Sequence, residues 1–257
     1  MKRAGLLAVA LLCAGLCLSA QAGGAVLGVD VSRFEQEIGW SRVAGDGIRF
    51  AYVQASRGSG GDCTVKPQTC GPDGFYEFNY RRAREEGIRV GAYHRAFTGG
   101  SSLRGARRDA RKEADVFIRS VGSLRRGDLV PALDFETPFA GMEAGRLRAW
   151  VKAWVRRVRG ALGATPMIYT NVSSWGQTGD TRLFARAGHP LWVANWDVPA
   201  PALPARRWDG RGWSVWQFSN AGHVNGIDGR VGMDRLGTPF RRISVRARPV
   251  PRTARRR

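Results

Sequence analysis

Residues 129–136 read LVPALDFE, an apolar run that ends on two acids, and a segment with helical periodicity follows at 143–162. The apolar side chains of this second segment recur every three or four residues, which places them on one stripe of a helix. That stripe consists of Leu147, Trp150, Val151, Trp154, Val155, Val158 and Leu162. A buried strand followed by an amphipathic helix is the repeating unit of an α/β fold with a parallel sheet.

The same alternation of strand and helix extends in both directions from this unit. Strands are predicted where Val, Ile, Tyr and Phe cluster, and helices where apolar residues follow the helical period. The predicted strands are 26–31, 48–55, 88–94, 129–136, 165–170, 190–196 and 213–219, and the predicted helices lie near 33–44, 75–87, 103–121 and 143–162. Because helices become scarce after about residue 187, we predict an irregular TIM-like (β/α) barrel with fewer helices in its C-terminal part. An open doubly wound sheet is the alternative, although no glycine-rich phosphate loop follows the first strand.

Residues 1–22 have the composition of a signal peptide. Two basic residues precede an apolar stretch that runs to about Ala20, and small residues surround the predicted cleavage site. The stretch is too short for a membrane anchor, and Cys13 and Cys17 each follow a leucine, which does not fit a lipoprotein signal. We therefore expect a secreted or periplasmic protein without stable membrane insertion.

The remainder of the chain is long enough for one large domain, predicted over residues 23–240. Residues 241–257 read RRISVRARPVPRTARRR, with eight arginines and no acid, and are predicted to form a disordered basic tail. Cys63 and Cys70 lie in a polar insert and are expected to form a disulfide in an oxidising compartment.

No metal or cofactor is expected. Two cysteines without a nearby histidine cluster do not form a zinc site. The histidines are His94, His189 and His223, and they lack the spacing of metal ligands.

The chain is strongly basic, with 41 Lys and Arg against 21 Asp and Glu and a formal net charge of +20. Such a charge favours a polyanionic partner, and nucleic acid, anionic membranes and bacterial wall polymers all qualify. Export argues against nucleic acid. The competing interpretation is that arginine richness reflects codon usage and a solvated surface.

Asp134 and Glu136 lie two residues apart at the end of an apolar strand, so both side chains are expected on the same face. In a barrel that face can be the interior, and that end the catalytic rim. Asp30 ends the first predicted strand in the same way. Glycoside hydrolysis needs an acid to protonate the leaving oxygen and a second group to stabilise the positive charge at the anomeric carbon. A D-x-E pair alone is weak evidence for this chemistry, but burial of such groups favours a functional role.

Many dispersed segments of the chain resemble glycoside hydrolase family 25, in the order of that family and over nearly the whole mature chain. They are GVDVSRF (28–34), IGW (38–40), FAYVQAS (50–56) with Gly58, Asp73 with Tyr76 and Asn79, GAYH (91–94), ALDFE (132–136), MIYT (167–170), LWVANW (191–196), WQFS (216–219) and Gly226-Ile227 with Val231. The resemblance implies a lysozyme that hydrolyses the β-1,4 bond between N-acetylmuramic acid and N-acetylglucosamine in peptidoglycan.

The resemblance also implies roles for individual residues. Glu136 matches the general acid that then acts as base, and Asp134 matches the residue that orients and stabilises the substrate's own acetamido group. Asp30 matches an aspartate that holds the hydrogen-bond network of the site. The positions that match residues lining the sugar cleft are Tyr93, Tyr169, Trp216 and Gln217.

Two positions depart from the family pattern. Where the family usually reads K-A-T-E-G, this chain has Gln54-Ala55-Ser56-Arg57-Gly58, which alters a charge pair at the cleft edge. Where a fourth carboxylate is usual, the chain has Gly232, unless Asp234 or Asp228 substitutes from a shifted position. Asp234 is therefore included among the candidate substrate-binding residues.

Three functions follow as hypotheses. The first is an exported, monomeric lysozyme with peptidoglycan as its partner, and an inhibitor or immunity protein stays an open question. The second is a wall-binding protein on the same fold with weakened catalysis, which the Gly232 departure favours. The third is an antimicrobial protein that binds polyanions through charge alone and would lose activity at high salt regardless of Glu136.

Overall fold

A computed structural model describes residues 24–59 and 70–246. Eight strands close into a barrel, and one further strand of two residues pairs with one of them. The strands are β1 (Leu27–Val31), β2 (Ile48–Arg57), β3 (Gly71–Pro72), β4 (Arg89–Arg95), β5 (Ala132–Asp134), β6 (Met167–Thr170), β7 (Leu191–Ala194), β8 (Val215–Gly222) and β9 (Val231–Leu236). Their order is β1-β9-β8-β7-β6-β5-β4-β2-β3, and pairing of β1 with β2 closes the barrel. The prediction of an irregular α/β barrel is confirmed.

The barrel is irregular because β9 runs against its neighbours. It pairs antiparallel to both β8 and β1. All other neighbouring strands of the barrel pair in parallel, in the order β1, β2, β4, β5, β6, β7 and β8. A direct β8 to β9 connection needs no crossover helix. This is the physical reason why helices are scarce in the C-terminal part.

The helices cover the outside of the barrel. They are α1 (Trp40–Gly45), α2 (Tyr76–Glu85), α3 (Leu103–Val121), α4 (Ala144–Leu162), α5 (Val172–Gly176), α6 (Leu183–Arg186) and α7 (Pro204–Asp209), followed by a 3-10 turn at Phe240–Arg242. Ser102 precedes α3 as its N-cap, and its side chain accepts a hydrogen bond from the Gly105 amide at 3.0 Å. Gly163 follows α4 as its C-cap, with a φ of 72°.

Two apolar layers hold this arrangement together. Strand residues that point inward fill the barrel, among them Tyr52, Trp192 and Val215. Alternate residues point outward and pack against the helices, as Phe135 does beside Trp150 of α4. The predicted stripe of α4 is buried in this outer layer, except that Leu162 is only partly buried. The strand ends are thus fixed from both sides, which positions the side chains at the rim.

The predicted strands all have counterparts, but the first predicted helix begins too early and one barrel strand was not predicted. Residues 33–39 are not helical, and α1 begins only at Trp40 because Gln36 has a positive φ of 52° and Phe34 is exposed to solvent. Strand β9 was missed because VGMDRL contains a glycine and two charged residues.

The predicted disordered tail begins too early. Ile243 is fully buried, its carbonyl accepts a hydrogen bond from Val130 N at 2.8 Å, and Val245 N donates to Asp128 O at 2.7 Å. Residues 241–246 therefore pack on the bottom of the barrel, since an isoleucine and a valine among the arginines supply apolar contacts. The rest of the predicted tail lies outside the described residues.

The predicted signal peptide also lies outside the described residues, as does Cys63, so the Cys63 to Cys70 bridge stays a prediction. Within the described ranges, none of the helices is both long and apolar enough to cross a bilayer.

Candidate functional site

Three acids meet where the carboxyl ends of β1 and β5 reach the barrel rim. Asp134 is the last residue of β5, and Glu136 follows two residues later. Phe135 lies between them with its ring packed 4.4 Å from that of Phe139 in the outer layer. Its amide donates to Tyr169 O at 2.9 Å, which extends the strand pairing. Asp134 and Glu136 therefore face inward together, and Asp30 of β1 is close enough for its charge to act on Asp134.

Arg95 at the end of β4 lies against both acids of the pair. Its Nε is 3.6 Å from Asp134 Oδ2, and its Nη2 is 3.4 Å from Glu136 Oε1. Hydrogen bonds from the guanidinium to the carbonyls of Glu136 at 3.1 Å and Thr137 at 2.9 Å fix its position. One cation thus holds both carboxylates in the free protein.

Asp134 and Glu136 differ in their surroundings. Burial raises the pKa of Asp134 well above its ordinary value, and the charges of Glu136 and Asp30 add to this effect while Arg95 opposes it. Asp134 Oδ1 is buried and has no hydrogen-bond partner within the described part of the chain. The Glu136 side chain keeps 29% of its surface exposed. Glu136 can therefore reach a ligand in the cleft, while Asp134 lies deeper.

A hydrogen-bond chain crosses the rim from β1 to the end of β7. Gln217 Nε2 donates to Asp30 Oδ2 at 2.6 Å, and Gln217 Oε1 accepts from Tyr169 Oη at 3.0 Å and from Trp196 Nε1 at 2.8 Å. Burial raises the pKa of Asp30 to about 6, against the opposing effect of the Gln217 hydrogen bond. These hydrogen bonds fix the orientation of the Gln217 amide, because its nitrogen donates and its oxygen accepts.

Tyr93 lines the same interior from β4. Gln54 Nε2 donates to Tyr93 Oη at 3.2 Å, and the ring stands edge-on to Trp192, 6.2 Å between centroids. Tyr93 and Tyr169 are each 7% exposed. Little of either ring is open to a ligand, so their part in lining the sugar cleft stays a prediction.

Trp216 does not belong to this cleft, which corrects its predicted place. Side chains alternate along β8, so Gln217 faces inward and Trp216 faces the outer layer. Its ring packs against Trp213 and Phe218, and its Nε1 donates to Asn195 O at 2.8 Å. The tryptophan at the cleft is Trp196, which is 41% exposed and bonded to Gln217.

Asp234 and Gly232 lie on β9 at different depths. Asp234 is fully buried in the barrel and accepts from Trp192 Nε1 at 2.7 Å, and burial raises its pKa well above the ordinary value. It has no open face for substrate, which corrects the prediction that it binds sugar. Gly232 is the ladder partner of Asp30, and a Cβ there would meet Asp30 Oδ2 at 2.0 Å. Asp30 thus occupies the space that a side chain at position 232 would need.

His94 belongs to a structural network and not to the cleft. Its Nδ1 is 2.8 Å from Ser56 Oγ, its Nε2 is 2.8 Å from Glu113 Oε2, and its ring stacks on Trp154. Burial lowers the pKa of His94 to about 3, so the ring is neutral at ordinary pH. The network ties β2 and β4 to α3. Within the described ranges no three His, Cys, Asp or Glu side chains are grouped as metal ligands.

Sequence reasoning missed Arg95 and Trp196 as site residues. Arg95 directly follows the GAYH segment, and Trp196 is the last residue of the LWVANW segment. A basic residue and an aromatic residue at strand ends were the available signals. Neither residue type identifies its partner, because the partners come from β5 and β8.

A second charged region lies on the outside, in a groove of about 510 Å³ between α3 and α4. The basic residues of this outer groove are Arg107, Arg111, Lys152, Arg156 and Arg157. Arg157 pairs with Asp115 at 2.6 Å. The other four make no hydrogen bond or ion pair within the part of the chain that the structure describes.

Comparisons with known proteins identify similar sequences. The chain is 30% identical over 225 residues to Lysozyme M1 of Streptomyces globisporus, covering 85% of this chain and 70% of that protein. It is 28% identical over 220 residues to the N,O-diacetylmuramidase of Chalaropsis sp., covering 80% of this chain and 95% of that one.

The fold agrees as well. The crystal structure of the bacterial lysozyme from Streptomyces coelicolor superposes with a TM-score of 0.73 at 30% identity, covering 86% of this chain and 96% of the other. The family described as glycosyl hydrolases family 25 matches residues 29–227. This chain, with its inward-facing acids at the strand ends of an irregular barrel, belongs to glycosyl hydrolase family 25.

Proposed function

We propose that this glycoside hydrolase is an exported lysozyme that cuts the β-1,4 bond between N-acetylmuramic acid and N-acetylglucosamine in bacterial peptidoglycan. The observation that carries the proposal is the inward-facing pair of Asp134 and Glu136, which share one cation and differ in depth. A hydrolase that uses the substrate's own acetamido group needs an acid that reaches the glycosidic oxygen and a second group that stabilises the positive charge.

In the first step, Glu136 gives its proton to the glycosidic oxygen as the bond from that oxygen to the anomeric carbon breaks. The acetamido oxygen of the same sugar forms a new bond to the anomeric carbon, and the ring that results is cationic. Asp134 lies beside Glu136 and stabilises this positive charge. In the second step, Glu136 takes a proton from water, whose oxygen adds to the anomeric carbon and displaces the acetamido oxygen.

Arg95 holds the pair in the free protein. The general acid must be neutral when the leaving oxygen arrives, and a neutral carboxyl does not form an ion pair. We therefore expect the contact between Arg95 and Glu136 to open when the sugar binds. The contact to Asp134 and the backbone carbonyls keeps Arg95 in place.

Asp30, Gln217 and Trp196 support the sugar from the opposite side. The hydrogen-bond chain through Gln217 fixes the indole of Trp196, whose exposed face can pack on a sugar ring. Asp30 holds that chain at its other end.

Two observations favour competing functions. Gly232 removes the fourth carboxylate of the family pattern, which favours a wall-binding protein with weak turnover. The outer groove favours binding of anionic wall polymers through charge. Both are compatible with a wall substrate and with export, for which residues 1–22 supply the signal.

Mass analysis of the fragments released from defined cell walls tests the proposal. A muramidase releases glycan fragments with N-acetylmuramic acid at the reducing end. Fragments with N-acetylglucosamine at that end would assign the other glycosidic bond. Walls that are bound but release no fragment would assign the binding function instead.

A further inference from the structure

Arg57 lies at the edge of the cleft and pairs with no carboxylate among the described residues. It ends β2, where its register partner on β4 is Arg95. Its guanidinium carbon lies 4.9 Å from the centroid of the Phe97 ring, and that of Arg95 lies 5.3 Å from the same centroid. Within the described part of the chain Arg57 makes no hydrogen bond or ion pair, and its Nε is buried without an acceptor.

Each neighbouring acid contacts another arginine, while Asp73 Oδ2 and Asp134 Oδ1 have no hydrogen-bond partner within the described residues. Asp73 pairs with Arg33 at 3.7 Å, and the acid pair at the end of β5 contacts Arg95. Burial lowers the pKa of Arg57, and the charges of Arg33 and Arg95 act in the same direction, while those of Tyr93 and Asp134 oppose it. A partly buried cation beside two like charges raises the free energy of the free protein unless an anion joins it. Within the described residues no carboxylate forms a hydrogen bond or ion pair with Arg57, so this position is suited to an anion that a ligand brings.

We propose that Arg57 binds a carboxylate of the substrate and makes the enzyme prefer acidic over neutral glycans. This inference rests on the proposed function. The N-acetylmuramic acid ring carries a lactyl ether, whose carboxylate is either free or extended by an acidic peptide. That ring bears the bond to be cut, so its carboxylate comes close to Glu136. Arg95 touches Glu136, and Arg57 is the next cation along the rim.

The guanidinium group suits this ligand. Its fork of N–H donors matches a carboxylate in two parallel hydrogen bonds, and the guanidinium stays charged at neutral pH. The family pattern K-A-T-E-G has a glutamate where this chain has Arg57. A glutamate would repel the carboxylate, so the departure reverses the charge that the substrate meets.

The test compares Arg57→Gln with Arg126→Gln, which removes the same charge from an exposed arginine far from the cleft. Three substrates are used: glycan strands with free lactyl carboxylates, strands that keep their peptides, and neutral chitooligosaccharides. For Arg57→Gln we expect KM for an acidic substrate to rise about tenfold or more, because a hydrogen-bonded charge pair is lost. We expect kcat and all constants for the neutral substrate to change little. Arg57→Lys keeps the charge without the fork and should retain part of the preference.

The outcomes separate the sources of the carboxylate. A loss confined to free lactyl strands assigns the lactyl group, and a loss confined to peptide-bearing strands assigns the peptide. An equal loss in both glutamine variants would reduce the effect to bulk attraction and overturn the proposal. An equal loss on neutral substrate would mean that Arg57 acts through the acid pair, which also overturns it.

Binding provides a readout that does not depend on turnover. Calorimetry with the Glu136→Gln protein compares a disaccharide containing N-acetylmuramic acid with its neutral N-acetylglucosamine counterpart. Tighter binding of the acidic sugar that disappears in the double variant Glu136→Gln/Arg57→Gln supports the subsite, even if the parent enzyme cuts no wall. Equal binding of both sugars would refute it.

Discussion

The cleft at the strand ends and the outer groove between α3 and α4 use charge in opposite ways. In the cleft, Asp134 is buried and Asp30 is partly buried among few cations, and Arg95 contacts two acids at once. In the outer groove, Arg107, Arg111, Lys152 and Arg156 lie without described partners. Burial strengthens electrostatic effects and shifts proton affinities, whereas solvent and salt weaken those at the surface. The net charge of the chain therefore identifies neither the place nor the kind of chemistry.

Glu136→Gln is expected to have the largest effect. The amide keeps the shape of the side chain but cannot donate the acid proton, so lysis should fall about 100-fold or more with folding and wall binding preserved. Turbidity of cell-wall suspensions measures the loss. Glu77→Gln, which neutralises an exposed acid on α2, serves as the control. Lysis at the parental rate would mean that Asp134 and Glu136 have a structural role and would favour charge-driven binding through the outer groove.

Asp134→Asn should lower turnover about 10- to 100-fold, because a neutral amide does not stabilise the cationic ring. The same change should leave the protein at least as stable at neutral pH, since burial raises the pKa of Asp134 and disfavours its charged form. Thermal unfolding and kinetics on one preparation measure both quantities. Glu86→Gln, which neutralises an exposed acid after α2, is the control. A loss of stability together with activity would contradict the expectation that Asp134 contributes to turnover and not to folding stability.

Stability should depend on pH through Asp30. Its pKa is about 6 in the folded protein against an ordinary 3.8, so the folded state binds the proton more tightly. This stabilisation is complete below about pH 4 and is lost as pH rises through 6. Relative to Asp30→Asn, the parent should lose up to about 1.4 kcal/mol of unfolding free energy per pH unit across this window. Denaturant unfolding at several pH values measures the difference. Parallel pH profiles would show that Asp30 does not titrate there.

Arg111→Gln combined with Arg156→Gln should have the smallest effect, and only on wall binding. Removing two surface cations is expected to weaken binding about tenfold at low salt and to flatten its salt dependence, with little change on small neutral glycans. Pull-down on purified walls at several salt concentrations measures this. Arg126→Gln with Arg211→Gln removes the same charge elsewhere. Equal weakening in both pairs would show that the groove has no special role.

Much of the barrel could be predicted because its parallel strands are buried on both faces and read as apolar runs. The stripe on α4 was equally clear, since the helical period puts Trp150 and Trp154 on one side. Strand β9 could not be predicted in this way. Its sequence is mixed, and it is a strand because β1 and β8 each leave an edge for it to pair with.

Part of the cleft also followed from strand periodicity. A spacing of two residues places Asp134 and Glu136 on one face whatever the rest of the chain does. The same rule, applied from Gln217, would have turned Trp216 outward. It was not enough to find Arg95 or Trp196, because their partners lie on other strands.

The sequence by itself determined the alternation of strands and helices, the shared face of the acid pair and the excess of positive charge, because each depends on local spacing or composition. Only the tertiary structure decided that Arg95 bridges the two acids, that Gly232 leaves room for Asp30, and that Arg57 pairs with no carboxylate among the described residues. These facts depend on distances between strands that are far apart in the chain. Barrel closure sets those distances, and no local pattern encodes them.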